Sequence, residues 1–161
     1  MNKIEIERKF LVKVLPNLAR VKVENQERYF LELGETEKRI TKTDDSYIYE
    51  EKSTGIGLGA KKITGIISES EFGRLKELSI KSLSRKSYIL SKEPEISIKV
   101  YTGEYEGLVR AEFEFDSESE ATNFEPPEWV GKEITNTDLG RDGRLIELSK
   151  NKFLELLNSF N

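Results

Sequence analysis

Alternation of charged and apolar residues in short segments is the feature that most constrains the fold of this chain. Residues 3–13 read Lys-Ile-Glu-Ile-Glu-Arg-Lys-Phe-Leu-Val-Lys, which places Glu5, Glu7 and Lys9 at every second position. Successive side chains of a β-strand point to opposite faces of a sheet. The segment therefore predicts a strand with one charged face and one mainly apolar face.

Seven further segments have the composition and alternation of strands. They are 27–33, 37–43, 46–52, 60–66, 84–91, 95–102 and 108–116. Turn signals of hairpin length, such as Gly34-Glu35 and Asp44-Asp45, separate several of them. Short consecutive strands joined by such turns predict an antiparallel meander rather than a series of βαβ units.

Three helices are predicted between and after the strands. Capping boxes at Ser68-Glu-Ser-Glu71 and Ser117-Glu-Ser-Glu120 predict the starts of two of them. Leu and Phe residues at helical spacing predict a C-terminal amphipathic helix over 144–159, and any exposed remainder of its apolar stripe would allow a homodimer. No linker-like segment divides the chain, so we expect one α+β domain covering residues 1–161.

The charged strand faces have two interpretations. The parity of the first segment recurs at Arg110, Glu112 and Glu114. Such faces are either the solvent side of a sheet packed on one side only, or the lining of a closed barrel, since eight strands enclose a lumen that holds side chains or one small ligand. A lumen lined by carboxylates and bases needs charge compensation, which a polyanion and a divalent cation would supply. Spacing alone leaves both interpretations open.

Composition excludes several kinds of chemistry. The chain contains neither Cys nor His, which excludes disulfides, Cys/His zinc sites and Ser–His or Cys–His nucleophiles. Its 26 Lys and Arg against 30 Asp and Glu give a net charge of −4, and the absence of a basic stripe argues against a nucleic-acid partner. No apolar run approaches the roughly 20 residues that span a bilayer. We therefore expect a cytoplasmic protein with no membrane partner.

Several motifs resemble one known family. Glu5-Ile-Glu7-Arg-Lys9 is similar to the Glu-x-Glu-x-Lys signature that opens the CYTH domain, also called the triphosphate tunnel metalloenzyme family. The segment 107–114 resembles the family's Gly-Leu-x-x-x-Glu-x-Glu strand, and 127–135 resembles its Pro-x-Trp-x-Gly-x-Glu-Val-Thr segment. The resemblance implies an eight-stranded antiparallel closed β-barrel, a tunnel flanked by helices, which binds a triphosphate lengthwise and needs Mg²⁺ or Mn²⁺.

The resemblance also implies roles for particular side chains. The expected metal ligands are carboxylates, whose hard oxygens suit Mg²⁺ or Mn²⁺: Glu5, Glu7, Glu112, Glu114 and Glu133. The expected phosphate-binding bases are Lys9, Arg39, Lys52 and Arg85. Lys9 is the candidate to position water or charge beside the scissile phosphate, so the expected catalytic residues are Lys9, Glu5 and Glu7.

Three positions depart from the family pattern. Thr41 and Ser87 stand where the family has arginines, and Lys99 stands where it normally has Asp. Exchanging Asp for Lys changes the local formal charge by +2, which offsets the two lost arginines, so we expect Lys99 to bind phosphate. Lys42 and Lys86 are adjacent to the altered positions, but an offset of one residue points them to the opposite sheet face.

These features favour a divalent-metal-dependent hydrolase of a triphosphate-containing small molecule, with inorganic tripolyphosphate as the first choice. Thr41 and Ser87 favour an alternative, a triphosphate- or nucleotide-binding module with weak catalysis. A class IV-type adenylyl cyclase is the third hypothesis, and it would require an adenine pocket for which the sequence has no marker.

Overall fold

Nine antiparallel strands organise the part of the protein that the computed structural model describes, residues 2–53 and 59–160, with side chains from residue 4 onward. The strands are β1 Asn2–Val12, β2 Lys22–Glu32, β3 Thr36–Lys42, β4 Tyr47–Ser53, β5 Gly59–Ile66, β6 Lys81–Lys92, β7 Glu95–Thr102, β8 Val109–Phe115 and β9 Val130–Glu133. The first eight correspond to the predicted strands, which are thereby confirmed. The short β9 was not predicted.

The strands pair in the order β5-β4-β3-β2-β6-β7-β8-β1-β9, and β5 also pairs with β1. The first half of β1 meets β5, with Glu5 opposite Ala60, and its second half meets β8, with Glu7 opposite Glu114. The eight strands β1–β8 are therefore joined in a continuous circuit. β9 pairs with the end of β1 across a register shift between Phe10 and Val12.

Four short helices and one 3-10 turn accompany the strands in the described ranges. They are α1 Glu69–Lys76, α2 Glu118–Asn123, α3 Asp142–Leu145 and α4 Lys150–Ser159, with the 3-10 turn at Gly103–Tyr105. Both predicted helix starts and their serine N-caps are confirmed: the hydroxyl of Ser68 accepts from the backbone N–H of Glu71 at 3.0 Å, and that of Ser117 accepts from the N–H of Glu120 at 3.1 Å.

The prediction of one C-terminal helix over 144–159 is wrong. The segment contains the end of α3 and all of α4, with a break between them. Ser149 has extended backbone angles, φ −68° and ψ 162°, and its hydroxyl accepts from the N–H of Lys152 at 3.2 Å. A residue in this conformation begins a helix and cannot lie inside one. The apolar periodicity correctly predicted α4, but it gave no sign of the helix N-cap at Ser149 inside the predicted range.

The apolar cluster that β1 and β8 share lies on the outside of the circuit, under covering segments. Phe10 on β1 packs against Phe113 on β8, with ring centroids 5.8 Å apart. Phe124, just after α2, and Trp129 cover them, at 4.7 and 5.9 Å from the Phe113 ring. The charged faces of the same two strands consequently point the other way, into the space that the strands surround.

A second apolar cluster lies at one end of the strands. Phe30, Leu83 and Tyr101, on β2, β6 and β7, pack there with residues of the C-terminal segment. Those residues include Leu139, Leu145, Ile146 and Phe153, each with no exposed surface. The C-terminal segment thus closes the fold against one end of the strands. Within the described ranges, no helix has both the length and the apolar character needed to cross a membrane.

Candidate functional site

The charged strand faces line a cavity of about 320 Å³ inside the circuit of strands. Glu5, Lys9 and Arg39 on these faces are only 7%, 6% and 4% exposed. The interpretation of these faces as the solvent side of an open sheet is therefore wrong. A strand can point its charged face into an enclosed space only if the enclosed charges neutralise each other or the charge of a ligand.

Among the described residues the charges that line the cavity balance. The acidic ones are Glu5, Glu7, Glu24, Glu37, Glu50, Glu95, Glu112, Glu114 and Asp142. The basic ones are Lys9, Arg28, Arg39, Lys52, Lys62, Arg85, Lys99, Arg110 and Arg141. Nine of each sign give a formal sum of zero, so the cavity as a whole is polar without being strongly charged.

Three carboxylates form the most concentrated group of anions in the cavity. One oxygen from each of Glu5, Glu7 and Glu114 lies within 4.8 Å of the others. The strand period brings Glu5 and Glu7 to the same face of β1, and the register of β1 with β8 sets Glu114 directly opposite Glu7. Three of the five predicted metal ligands are therefore brought together.

Lysines neutralise this group in the structure. The Nζ of Lys52 is 3.0 Å from a carboxylate oxygen of Glu5 and 3.0 Å from one of Glu7, and the Nζ of Lys62 is 3.2 Å from Glu5. Burial opposes ionisation of Glu5, but the ammonium groups of Lys52 and Lys62 outweigh it and hold the pKa of Glu5 far below its usual value. Glu5 is consequently a carboxylate at neutral pH.

The group fits a hard divalent cation. Carboxylate oxygens are the ligands that Mg²⁺ and Mn²⁺ prefer, and one to three of them with water complete such sites. For Glu7, burial again opposes ionisation, and the charges of Lys9 and Lys52 lower its pKa despite it. Glu5 and Glu7 therefore present ionised oxygens, and the carboxylate of Glu114 lies beside them.

The other two predicted metal ligands lie elsewhere. Glu112 lines the cavity, but its oxygen is 2.6 Å from Nη2 of Arg110, and it is not part of the three-carboxylate group. Glu133 is exposed and accepts from Arg8 at 2.6 and 2.9 Å, outside the cavity. The prediction that Glu133 joins the metal site is corrected for a simple reason: its register partner on β1 is Phe10, which belongs to the outward face.

All the predicted bases reach the cavity lining, as the strand parity requires: Lys9, Arg39, Lys52, Arg85 and Lys99. Lys9 donates to the carbonyl oxygen of Gly140 at 2.8 Å, and its Nζ is 3.1 Å from Glu7. Burial lowers the pKa of Lys9 to about 8, although the Glu7 carboxylate partly compensates. Arg39 lies between Glu37 and Glu50, at 3.1 and 3.3 Å.

Of the three departures from the family pattern, Thr41 and Lys99 line the cavity, and Ser87 is buried beside Lys99. Ser87 on β6 is opposite Lys99 on β7, and Lys99 donates to its hydroxyl at 2.7 Å. Lys99 thus places an ammonium group beside the position of the shorter Ser87 side chain. Burial lowers the pKa of Lys99 to about 8. Lys42 and Lys86 are exposed on the opposite face, as predicted.

Asp142 is the most connected residue that sequence reasoning missed. Its carboxylate accepts from Arg28 at 2.8 Å, from Arg85 at 2.9 Å and from Arg110 at 3.2 Å. The hydroxyl of Tyr101 also donates to it. Burial disfavours this carboxylate, but the three guanidinium groups hold its pKa well below the usual value. Asp142 is the first residue of α3, so no strand periodicity indicates where it points.

Arg28, Glu50 and Lys62 also line the cavity and were not assigned to the site. The Nζ of Lys62 bridges Glu5 and Glu50, at 3.2 and 2.9 Å. The signal for these three residues was present, because each shares the inward parity of its strand. Arg28 lies within the predicted strand 27–33, but Glu24 and Gln26, which share its parity and also line the cavity, lie before that predicted start, since β2 begins at Lys22.

Comparison with known proteins supplies relatives of this fold and cavity. The inorganic triphosphatase of Nitrosomonas europaea is 30% identical over 135 residues, which cover 81% of this chain and 89% of that protein. A crystal structure of an inorganic triphosphatase superposes with a TM-score of 0.63 at 25% identity, covering 88% of this chain and 93% of that one. No family model matches the chain.

A further solved structure shares the fold alone. A Bacillus halodurans protein described as a candidate adenylate cyclase superposes with a TM-score of 0.57 at 16% identity. The match covers 99% of this chain and 90% of that one. The arrangement of strands is therefore shared with a chain of different described activity, and only the residues in the cavity can distinguish the functions.

Proposed function

Because this chain belongs to the inorganic triphosphatase family, we propose that it is a metal-dependent hydrolase whose substrate is inorganic tripolyphosphate. The observation that carries the proposal is the enclosed group of Glu5, Glu7 and Glu114, surrounded by buried bases in one cavity. The carboxylates are suited to a divalent cation and the bases to phosphate oxygens.

We further infer that the circuit of eight strands is the closed tunnel barrel of the CYTH domain and that residues 1–161 form a single such domain. The pairing of β5 with β1 supports this inference, because it leaves neither strand as a free edge along that pairing. The apolar cluster of the C-terminal segment lies at one end of the strands. Substrate would then enter from the end away from that cluster.

The charge balance of the cavity favours a triphosphate accompanied by cations over a bare polyanion. The nine acidic and nine basic side chains that line it sum to zero. A polyanion alone would leave a large net charge in an enclosed space, whereas its complex with Mg²⁺ or Mn²⁺ is closer to neutral. When bound, the divalent ion would supply neutralisation of charge on the phosphate oxygens.

Each group of side chains has a proposed role. Glu5, Glu7 and Glu114 hold the cation through their carboxylate oxygens. The bases that donate hydrogen bonds to phosphate oxygens are Lys9, Arg39, Lys52, Arg85 and Lys99. Lys9 has a pKa of about 8, so its Nζ is protonated at pH 7. Because that Nζ is 3.1 Å from Glu7, it would place an N–H beside the reacting phosphate. Glu112 orients Arg110, to which it is ion-paired.

Phosphate release measured with three substrates tests this proposal. Tripolyphosphate, ATP and thiamine triphosphate are each incubated with Mg²⁺, with Mn²⁺ or with EDTA. We expect metal-dependent release, fastest from tripolyphosphate and abolished by EDTA. Tight tripolyphosphate binding without release would assign the chain to the binding-module alternative, and formation of cyclic AMP from ATP would assign it to the cyclase alternative.

Lys99 is expected to contribute to substrate binding. In Lys99→Met the stem is kept and the ammonium is lost, so that one charge-assisted hydrogen bond to phosphate is removed. We expect the KM for tripolyphosphate to rise about tenfold. Lys86→Met is the matched control, since Lys86 lies on the outward face of the neighbouring strand and should leave KM unchanged. An unchanged KM in Lys99→Met would show that Lys99 does not bind substrate.

A further inference from the structure

Two buried polar atoms on facing residues of the cavity wall have no hydrogen-bond partner among the residues that the structure describes. They are Nε of Arg28 on β2 and Oγ1 of Thr41 on β3. Arg28 and Thr41 are direct register partners in the β2–β3 pair, and both line the cavity. The side chain of Thr41 is almost fully enclosed, since the residue is 3% exposed.

Unpartnered buried polar atoms are rare because each costs free energy. Two of them on one cross-strand pair indicate a position that a ligand is meant to occupy. The Nε–H of Arg28 is a donor, and the hydroxyl of Thr41 can donate as well. A single oxygen acceptor placed between them would satisfy both atoms.

The surroundings of Arg28 favour an anionic acceptor. Its Nη1 already donates to Asp142 at 2.8 Å, and its Nη2 is 3.8 Å from Glu50. Burial, more than the charges of Arg39 and Arg85, disfavours the charged guanidinium and lowers the pKa of Arg28. An anionic acceptor at the unpartnered Nε–H would stabilise the buried charge more strongly than a neutral acceptor, because hydrogen bonds between ionised groups are the stronger ones.

The position lies beyond the three-carboxylate group. From Glu5 the contacts run through Lys62, at 3.2 Å, to Glu50, at 2.9 Å, and from Glu50 to Arg28, at 3.8 Å. One layer of ion pairs therefore separates the two places. A chain of phosphoryl groups with one end at the carboxylates would extend across this layer toward Arg28 and Thr41.

We propose that Arg28 and Thr41 form a distal oxyanion subsite, which holds a phosphoryl group of the substrate other than the one at the three-carboxylate group. The proposal rests on the triphosphatase function proposed above and adds to it a pair of residues that bind a second phosphoryl group. The subsite is complete when a phosphoryl oxygen accepts from both the Nε–H and the hydroxyl.

Thr41→Val tests the subsite, because valine keeps the shape of the side chain and removes the hydroxyl. We expect the KM for tripolyphosphate to rise about tenfold and kcat to change less than threefold. This is the pattern for loss of an interaction that is equally strong in the bound ground state and in the transition state. We also expect the Tm to stay the same or rise, because an unsatisfied buried hydroxyl is replaced by a methyl group. If the hydroxyl of Thr41 were purely structural, Thr41→Val would lower the Tm and leave KM unchanged. Thr41→Ser, which restores a hydroxyl, should return KM toward the wild-type value.

Thr43→Val is the matched control, two residues further along the chain and just after the end of β3. The hydroxyl of Thr43 already accepts from the backbone N–H of Ser46 at 3.0 Å. Its loss should lower the Tm and leave KM unchanged. A wild-type protein that hydrolyses tripolyphosphate, with an unchanged KM in Thr41→Val, would overturn the subsite and indicate that water fills it. A wild-type protein without hydrolysis would instead overturn the proposed function itself.

Discussion

Glu7→Gln is expected to lower kcat/KM for tripolyphosphate at least a hundredfold in the presence of Mg²⁺ or Mn²⁺. Glutamine keeps the size of the side chain but removes one negative oxygen from the three-carboxylate group. Neutralisation of phosphate charge by a metal ion is worth several kcal/mol in the transition state, and each 1.36 kcal/mol corresponds to a factor of ten in rate. Glu114→Gln should have an effect of the same order, because Glu114 faces Glu7 across the β1–β8 pair.

The measurement is the initial rate of phosphate release over a range of metal concentrations. If Glu7 holds the metal, part of the lost activity should return at higher Mn²⁺. Glu51→Gln is the matched control, since Glu51 accepts from Tyr49 on the outer face of β4 and should retain full activity. Wild-type rates in both Glu7→Gln and Glu114→Gln would contradict the proposed metal site.

Asp142→Ala is expected to reduce the free energy of unfolding by about 3–5 kcal/mol, because it leaves buried charges without their partner. Three guanidinium groups, those of Arg28, Arg85 and Arg110, would then face one another without this shared carboxylate. For a chain of this size such a loss lowers the Tm by roughly 6–20 °C. Urea unfolding at pH 7 measures the difference directly.

The contribution of Asp142 also has a definite pH dependence. Its folded-state pKa lies well below the usual value, so the stability it supplies is fully present above the unfolded-state pKa of about 3.9. That stability is lost as the pH falls from there toward the folded-state pKa. The difference between wild type and Asp142→Ala should therefore be constant near neutral pH and narrow below about pH 4.

Two measurements distinguish neutralisation of the three arginines by Asp142 from a general effect of its packing. Asp138→Ala removes a surface carboxylate that pairs with Arg144 in the same segment, and it should cost less than about 1 kcal/mol. Tripolyphosphate should raise the Tm of Asp142→Ala more than that of the wild type, because the three released arginines can bind it. An Asp142→Ala protein as stable as the wild type would show that the arginines do not depend on this carboxylate.

The strand-borne part of the site could be predicted from the sequence because a strand has a strict period of two. The assignment of Lys52, Arg85 and Lys99 to the same site came from the family resemblance. The period of two placed Glu5 and Glu7 on one face of their strand, and it placed Lys86 on the face opposite to Arg85. What it could not supply was which side of the sheet is enclosed, since that depends on the pairing of β5 with β1, residues far apart in the chain.

The sequence predictions were wrong or incomplete for residues whose tertiary position does not follow from the local sequence pattern. Glu133 matches a motif residue, but the short β9 pairs it with Phe10 on the outward face. Asp142 reaches the cavity from a helix start that packs at one end of the strands, so its partners come from three different strands. The break before Ser149 is a cap inside a continuous apolar stripe. Each of these depends on how distant segments meet rather than on sequence spacing.

A metal-dependent triphosphatase of this fold holds a divalent ion and a triphosphate together in the enclosed cavity, as we propose for this protein. Anomalous diffraction from crystals soaked in Mn²⁺ locates that ion directly. We predict a Mn²⁺ peak inside the circuit of strands, bounded by carboxylate oxygens of Glu5, Glu7 and Glu114. The proposed metal site would be contradicted if protein that hydrolyses tripolyphosphate with Mn²⁺ showed Mn²⁺ only on its outer surface.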